Sequence, residues 1–392
     1  MGNREKVNKA VPSPRSLVPD PQSLYIHVPF CLERKCDYCD FYSVPVKQDD
    51  SRLEVFIGSL LSQGKKLFGV YRPSHVPTVY IGGVTPSVLR PKGINRLLKG
   101  LNEIISQYTP SGPGEVTVEA NPESADEAFL AAIRECGATR LSLGVQTFHG
   151  PSREAVGRRV DEVTLYERLA LAAAYFPNSL SVDLMSGLPM QNEKTILDDI
   201  AILTGFKPAH VSFYALTVEK ALKNHYKGNA EELWISGRDT LEKAGFGQYE
   251  VSNFCLPGME SRHNIRYWQM LSWLALGPGA SGTVIQNSKG FRFTYPQDLN
   301  NWLTPVIEPL DTLTLIKETF LMGFRYIEGP DEDLFKRRFN NGINDLIPKT
   351  LETWYNRGLI QNDKCALNKE GLLLLDRFLI EAFEELDNLL IK

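Results

Sequence analysis

Cys31, Cys36 and Cys39 stand close together in the run His27-Val-Pro-Phe-Cys-Leu-Glu-Arg-Lys-Cys-Asp-Tyr-Cys-Asp-Phe41, and they are half of the six cysteines in the chain. Thiols packed this densely, in a sequence with no secretory signal, are metal ligands far more often than disulfide partners. A structural zinc site is closed by four ligands, whereas an iron–sulfur cube held by three thiolates keeps one iron open to a further ligand. Three cysteines directly after an apolar segment therefore point to an open metal site. The alternative is a zinc-stabilised fold, for which only His27 is near enough in sequence to supply the fourth ligand. Cys136, Cys255 and Cys365 read as small buried hydrophobes.

Other residues could serve a ligand at that open position. Gly82-Gly83-Val84-Thr85-Pro86 follows an apolar run; its glycines let the backbone approach an ammonium or carboxylate, and Thr85 offers a hydroxyl. Glu119 could accept from an ammonium or a ribose diol, and Arg158 could pair with a carboxylate. Singly, each is unremarkable as a turn or a solvated charge; their ordered succession is the signal.

The elements that must position these residues alternate with regularity. Strand patterns occur at Leu24–Val28, Thr78–Ile81, Val116–Glu119, Arg140–Gly144, Ser181–Leu184 and His210–Tyr214, with helical patterns between them. Leu53, Phe56, Ile57, Leu60 and Leu61 mark one helix face; Ile94, Leu97, Leu98, Leu101 and Ile105 mark another. Ser124-Ala-Asp-Glu127 has the form of a capping box ahead of Leu130 and Ile133. Six strand–helix repeats imply a parallel sheet, doubly wound or a partial barrel. The cysteines, Gly82-Gly83, Glu119, Gln146, Asp183 and Tyr214-Ala215 all fall at strand C-terminal ends, as on a barrel's active face, whereas a doubly wound sheet gathers its site at one switch point. The fold class expected is α/β: a partial (β/α)6 barrel with a C-terminal helical, winged-helix-like domain.

The boundaries expected are a flexible tail over 1–20, the barrel over 21–220, an extension over 221–300 and a helix–wing domain over 301–392. Gly, Pro and aromatic residues make Gly245–Gly282 read as an elaborate loop, and Leu313, Ile316, Phe320, Leu321 and Phe324 recur at helical spacing after Asp311. The 392 residues suit one large domain and a smaller one. A net charge of −4 gives no footprint for nucleic acid, and no stretch is apolar enough for a membrane span. A reducing cytoplasm is the expected location.

The stretches YIHVPFC, CDYCDFYS, VYIGGVTPSVL, VTVEANPES, TRLSLGVQTFH, VDLMSGLP, HVSFYALTVE, QYEVSNF, RHNIRYW and LALGPGASG resemble the HemN/HemW family of radical S-adenosylmethionine proteins, and more specifically its heme-chaperone branch, from Ser23 to the C-terminal helix. The resemblance implies that Cys31, Cys36 and Cys39 hold a [4Fe–4S] cluster whose open iron chelates S-adenosylmethionine. It implies that Tyr25, Tyr38, Gly83, Thr85, Glu119, Gln146, Arg158, Asp183 and Ala215 form the cofactor pocket. An electron from the cluster would cleave the sulfonium to give a 5′-deoxyadenosyl radical, with a flavodoxin or ferredoxin as donor.

Two positions depart from the family pattern. Four residues, Leu32-Glu-Arg-Lys35, separate Cys31 from Cys36 where the family has three, so one must bulge from the loop or the cluster is weakened. Val84 replaces the third glycine of Gly-Gly-Gly-Thr-Pro and is poorly suited there if the position needs φ > 0. A bound cluster is expected ahead of vigorous radical chemistry.

In Arg262-His-Asn-Ile-Arg-Tyr-Trp268, His263 and Tyr267 share a face if the piece is helical. A histidine near aromatics is ordinarily a hydrogen-bonded packing residue, but the resemblance to the chaperone branch's HNxxYW motif implies that His263 ligates heme iron. His27 is expected to position the cluster loop. The function implied is a heme chaperone that passes heme to an acceptor hemoprotein such as a membrane-associated respiratory protein. The alternative is an oxygen-independent coproporphyrinogen III oxidase.

Overall fold

The structure is a computed structural model, and it describes residues 21–36, 38–39, 41–47, 49–216 and 230–390. The tail expected over 1–20 and the barrel boundary expected at 220 lie outside the described residues.

Fourteen strands are present among the described residues: β1 (Ser23–Val28), β2 (Phe30–Leu32), β3 (Val44–Val46), β4 (Thr78–Gly83), β5 (Glu115–Ala120), β6 (Arg140–Gln146), β7 (Leu180–Ser186), β8 (His210–Ala215), β9 (Gly247–Gln248), β10 (Asn253–Cys255), β11 (Trp273–Leu276), β12 (Ser281–Gln286), β13 (Lys289–Thr294) and β14 (Val306–Leu310). Strands β1, β4, β5, β6, β7 and β8 are parallel neighbours in that order, each at one of the six expected positions.

Their residues alternate for a physical reason. Leu24, Ile26 and Val28, then Val79 and Ile81, Val116 and Val118, Leu141 and Leu143, and Val182 and Leu184 enter the main apolar core. The residues between them are polar and bond across to neighbouring strands, as in Tyr80–Glu119, Ser142–Asp183 and Ser181–His210. A one-residue slip of any strand would exchange these faces, so burial specifies the register.

The helices between the strands are α1 (Ser51–Tyr71), α2 (Arg90–Ile105), α3 (Glu127–Glu135), α4 (Gly150–Ala155), α5 (Glu162–Tyr175) and α6 (Glu193–Gly205). Leu53, Phe56, Ile57 and Leu60 are buried on α1, and Ile94, Leu97, Leu98, Leu101 and Ile105 on α2. The expected capping box at Ser124 is displaced. Asp126 caps α3 by accepting from Phe129 N–H, and the Ser124 hydroxyl instead meets that of Ser87 at 2.6 Å.

The sheet extends at both edges. The Gly245–Gly282 stretch, read from sequence as a loop, contains β9, β10, the helix α8 (Arg262–Trp268), β11 and the start of β12; α7 (Ala230–Lys243) precedes it. Strand β11 lies parallel to β1 on the side away from β4, and β12, β13 and β14 continue antiparallel beyond it. Strand β11 is short and pairs with β1, far removed in sequence, which no local pattern encodes, whereas β12 and β13 form a hairpin across Asn287-Ser288.

The C-terminal region comprises α9 (Thr312–Gly323), α10 (Glu332–Phe339), α11 (Ile343–Leu346), α12 (Pro348–Asn356), α13 (Lys369–Leu372) and α14 (Leu375–Leu390). Phe320, Phe324, Phe335, Trp354 and Phe378 build its own apolar core. A short antiparallel bridge joins Ile360 to Leu367. Among the described residues no helix is long and apolar enough to cross a membrane.

Candidate functional site

A cavity of about 580 Å³ opens at the C-terminal ends of the parallel strands. Cys31, Cys36, Tyr38 and Cys39 line it from the loop after β1. Gly83, Thr85, Glu119, Gln146, Asp183 and Ala215 line it from the ends of β4 to β8 or just beyond, and Arg158 from the α4–α5 loop. A volume of this order accommodates a cofactor-sized ligand.

The cysteine loop is fastened on both sides. Strand β2 pairs with β3 in parallel, setting Cys31 opposite Pro45. Glu33 takes a left-handed φ of 61°, its N–H donating to Val46 O, and Arg34 N–H turns back onto Leu32 O at 2.7 Å. The extra residue between Cys31 and Cys36 thus lies in a tight turn directly after β2, and both cysteines still face the cavity. Cys36 O accepts from Cys39 N–H at 3.2 Å. Burial raises the Cys31 thiol, and the neighbouring Cys36 and Cys39 thiols raise it further.

His27 supports the loop from beneath. Its Nε2 faces Tyr42 O at 3.4 Å, and its Nδ1 lies 2.9 Å from the Tyr25 hydroxyl. A carbonyl only accepts, so Nε2 carries the proton and Nδ1 accepts from Tyr25. With both nitrogens engaged, His27 is not turned toward the cysteines as a fourth zinc ligand. Among the described residues no three His, Cys, Asp or Glu side chains are placed to hold one metal ion. Neither Tyr25 nor His27 lines the cavity; Tyr25 holds the His27 ring, which stands against Gly83 in the cavity floor.

The floor is built for close approach. Gly83 has φ +114°, and a Cβ there would stand 2.7 Å from His27 Nδ1. A Cβ on Gly82 would stand 2.8 Å from the Glu119 carboxyl. The left-handed position is Gly83, whereas Val84 has no positive φ, so the valine at the family's third glycine carries no backbone strain. Glu119 Oε1 accepts from the Tyr80 hydroxyl at 2.7 Å and Oε2 from Gly83 N–H at 3.0 Å. Burial outweighs both bonds and pushes the carboxyl up to about 7. Burial likewise raises Asp183, against hydrogen bonds from Ser142 and Ser212. Two buried carboxyls above their ordinary range favour a ligand that brings hydroxyls or an ammonium.

Arg158 donates to the Tyr38 hydroxyl and lies 3.6 Å from Glu123 Oε2. Its neighbours within the chain are thus the Glu123 carboxylate and a phenol in the cysteine loop. Asn121 donates to Thr85 Oγ1 at 2.9 Å, fixing the hydroxyl that lines the cavity. Asn121, Glu123 and Tyr80 were not singled out from sequence; the first two stand in the stretch Glu119-Ala-Asn-Pro-Glu-Ser124, directly after a strand, which was the available signal.

The residues present fit the cofactor that the sequence resemblance implies: three thiols, a glycine floor and buried acceptors converge on one cavity. His263 does not join them. It is buried on α8, its Nδ1 is 2.8 Å from Thr78 Oγ1 and its Nε2 3.0 Å from the Tyr267 hydroxyl, and its ring packs on Tyr80 with centroids 5.1 Å apart. Thr78 begins β4, at the end of the barrel opposite the cavity. The Glu115 carboxylate receives the N–H groups of Arg262 and His263 and so anchors the start of α8. Burial, with the nearby Arg266 charge, lowers His263 to about 3. Both ring nitrogens of His263 thus lie within hydrogen-bond distance of protein hydroxyls, Thr78 Oγ1 and the Tyr267 phenol. Cys255 is also buried, and burial pushes its thiol up to about 12.

The profile of the radical SAM superfamily matches residues 25–203. The chain is 33% identical to the radical S-adenosyl methionine domain-containing protein 1, mitochondrial, of Bos taurus, over 100% of this chain and 92% of that protein. It is 30% identical to the heme chaperone HemW of Lactococcus lactis, over 88% of this chain and 92% of the relative. Among solved structures it is similar to coproporphyrinogen III oxidase (HemN) from Escherichia coli, described as a radical SAM enzyme, with a TM-score of 0.78 at 19% identity over 93% of this chain and 90% of that one. That last similarity speaks to the fold alone.

Proposed function

Because the chain belongs to the HemN/HemW family of radical SAM proteins, we propose that it is a heme chaperone: it holds a [4Fe–4S] cluster and S-adenosylmethionine in the strand-end cavity, binds heme, and delivers heme to an acceptor hemoprotein. The observation that carries the cofactor part is the convergence of Cys31, Cys36 and Cys39 with Gly83, Thr85, Glu119, Gln146, Arg158, Asp183 and Ala215 around one cavity. The chaperone part rests on the relative from Lactococcus lactis, whose similarity spans most of both chains.

In this reading the three cysteines ligate the cluster, and Gly82 and Gly83 give the methionine end close access to backbone. Glu119 accepts from its ammonium or from the ribose, Asp183 and Gln146 serve the nucleoside side, and Thr85 is held ready by Asn121. Arg158 braces Tyr38 and lends positive charge beside Cys36. When bound and reduced, the cluster with its cofactor supplies one-electron cleavage chemistry. A small acidic electron carrier such as a flavodoxin or ferredoxin, and a reducing compartment such as the cytoplasm, complete the proposal. His263 is left out of the iron's coordination because its nitrogens hold Thr78 and Tyr267.

The test is anaerobic reconstitution followed by three measurements on one sample: iron per chain, S-adenosylmethionine binding, and a heme titration by absorbance. Saturable heme binding without conversion of coproporphyrinogen III supports the chaperone. Conversion without saturable heme binding replaces it with the oxidase. Stoichiometric zinc with no iron overturns both.

A further inference from the structure

Gln146 holds a backbone conformation that few side chains adopt. Its φ is +73°, at the end of β6, where the pairing with β7 shifts between Gly144 and Gln146. A residue with a Cβ stays in the left-handed region only where its surroundings enforce it.

Two buried charged residues supply that enforcement. Arg153, on α4 and 5% exposed, donates from Nη1 to Val145 O at 3.0 Å and to Thr147 O at 3.1 Å, the carbonyls on either side of Gln146. Asp199, on α6 and 3% exposed, accepts from the Thr147 hydroxyl at 2.6 Å and from Phe148 N–H at 2.7 Å. Taking two charges out of water is costly unless their hydrogen-bonding capacity is used. Arg153 spends Nη1, and Asp199 both carboxyl oxygens, on the one short stretch 145–148, while Arg153 Nη2 has no hydrogen-bond partner among the described residues. Burial raises the Asp199 carboxyl to about 6, opposed by those same bonds.

The stretch they hold matters because of where Gln146 points. Its Nε2 is 3.0 Å from the place a Cβ on Gly144 would occupy, beside Asn121 and Arg158 on the cavity floor. Neither Arg153 nor Asp199 is among the residues lining that cavity. We infer that Arg153 and Asp199 are positioning residues: they clamp the backbone on both sides of Gln146 so that its amide meets the nucleoside cofactor in the cavity. The inference rests on the cofactor reading under Proposed function.

The test is equilibrium binding of S-adenosylmethionine to the reconstituted full chain, with iron content and urea midpoint measured on the same samples. Arg153→Met and Asp199→Asn each weaken binding on the order of tenfold, as loss of a supporting shell does, while iron per chain stays at the wild-type level. Gln146→Gly removes the amide and the conformational constraint together, so adding Arg153→Met on that background produces no further loss. Additive losses, or wild-type affinity in folded Asp199→Asn protein, overturn the inference. If Arg153→Met fails to fold, Asp199→Asn with and without Gln146→Gly decides the matter. Absence of binding in the wild type overturns the cofactor reading and this inference together, and is told apart by appearing before any substitution is made.

Discussion

Arg158 reaches Tyr38 with two hydrogen bonds, Nε and Nη2 lying 3.0 and 2.7 Å from the phenol oxygen, and so ties the α4–α5 loop to the residue directly before Cys39. Its guanidinium carbon also lies 5.9 Å from the Tyr38 ring centre. Tyr38 packs in turn against Val156, Met185, Leu188 and Leu216, a small apolar cluster at the cavity rim. Burial raises the phenol, which therefore stays neutral and accepts from the cation beside it.

Tyr38→Phe keeps the ring in that cluster but leaves two guanidinium donors facing an apolar edge. Such a loss costs about 1–3 kcal/mol. The expected result is a lower urea midpoint and faster loss of iron after desalting, followed by iron assay against time. Wild-type iron retention in the variant would show that the Arg158 brace is not what steadies the cysteine loop.

His263→Ala removes the bridge between Thr78 and Tyr267 and leaves a buried void. The expected destabilisation is about 2–4 kcal/mol by urea unfolding. Heme affinity per folded chain is expected to remain at the wild-type value. Loss of the heme absorbance with unchanged stability would instead return His263 to the iron.

Glu119 predicts a pH dependence with a definite sign. Its folded pKa of about 7 lies above the ordinary carboxyl value of 4.5, so between those two the folded state retains a proton that the unfolded state has released. Stability therefore falls as pH rises from about 4.5 to about 7, at up to about 1.4 kcal/mol per pH unit for one group, and levels off above. Glu250, buried and likewise raised to about 7, acts in the same direction. In Glu119→Gln the fall is shallower; an unchanged slope would mean that Glu119 titrates normally.

Gly83 and Val84 separate two backbone demands. Gly83→Ala places a methyl against the His27 ring at a positive φ and is expected to cost about 1–3 kcal/mol and to weaken S-adenosylmethionine binding. Val84→Gly, at a position free of that demand, is expected to cost at most about 1 kcal/mol. A raised urea midpoint in Val84→Gly, with no loss in Gly83→Ala, would place the strain at Val84 instead.

Local periodicity determined the part of this molecule that burial dictates residue by residue. Alternation in β1 and in β4 to β8 was legible because one face of each strand enters the apolar core while the other bonds across the barrel, and the face of α2 was legible because its apolar residues recur at helical spacing. Strand–helix alternation alone sends every strand end to the same side, which is why Cys31, Gly83, Glu119, Gln146 and Asp183 were expected together and are found lining one cavity. Tertiary structure decided what depends on distant partners. The short strand β11 is a strand because β1 lies beside it, and Glu33 absorbs the extra loop residue because Val46 O receives its N–H. The sequence placed His263 beside Tyr267 on one helical face, and their hydrogen bond bears this out. Only the fold brought Thr78, 185 residues away, to its other nitrogen, so that His263 bridges the start of β4 and α8. A side chain's type is local information, but whether its lone pair is free is settled by what the rest of the chain packs against it.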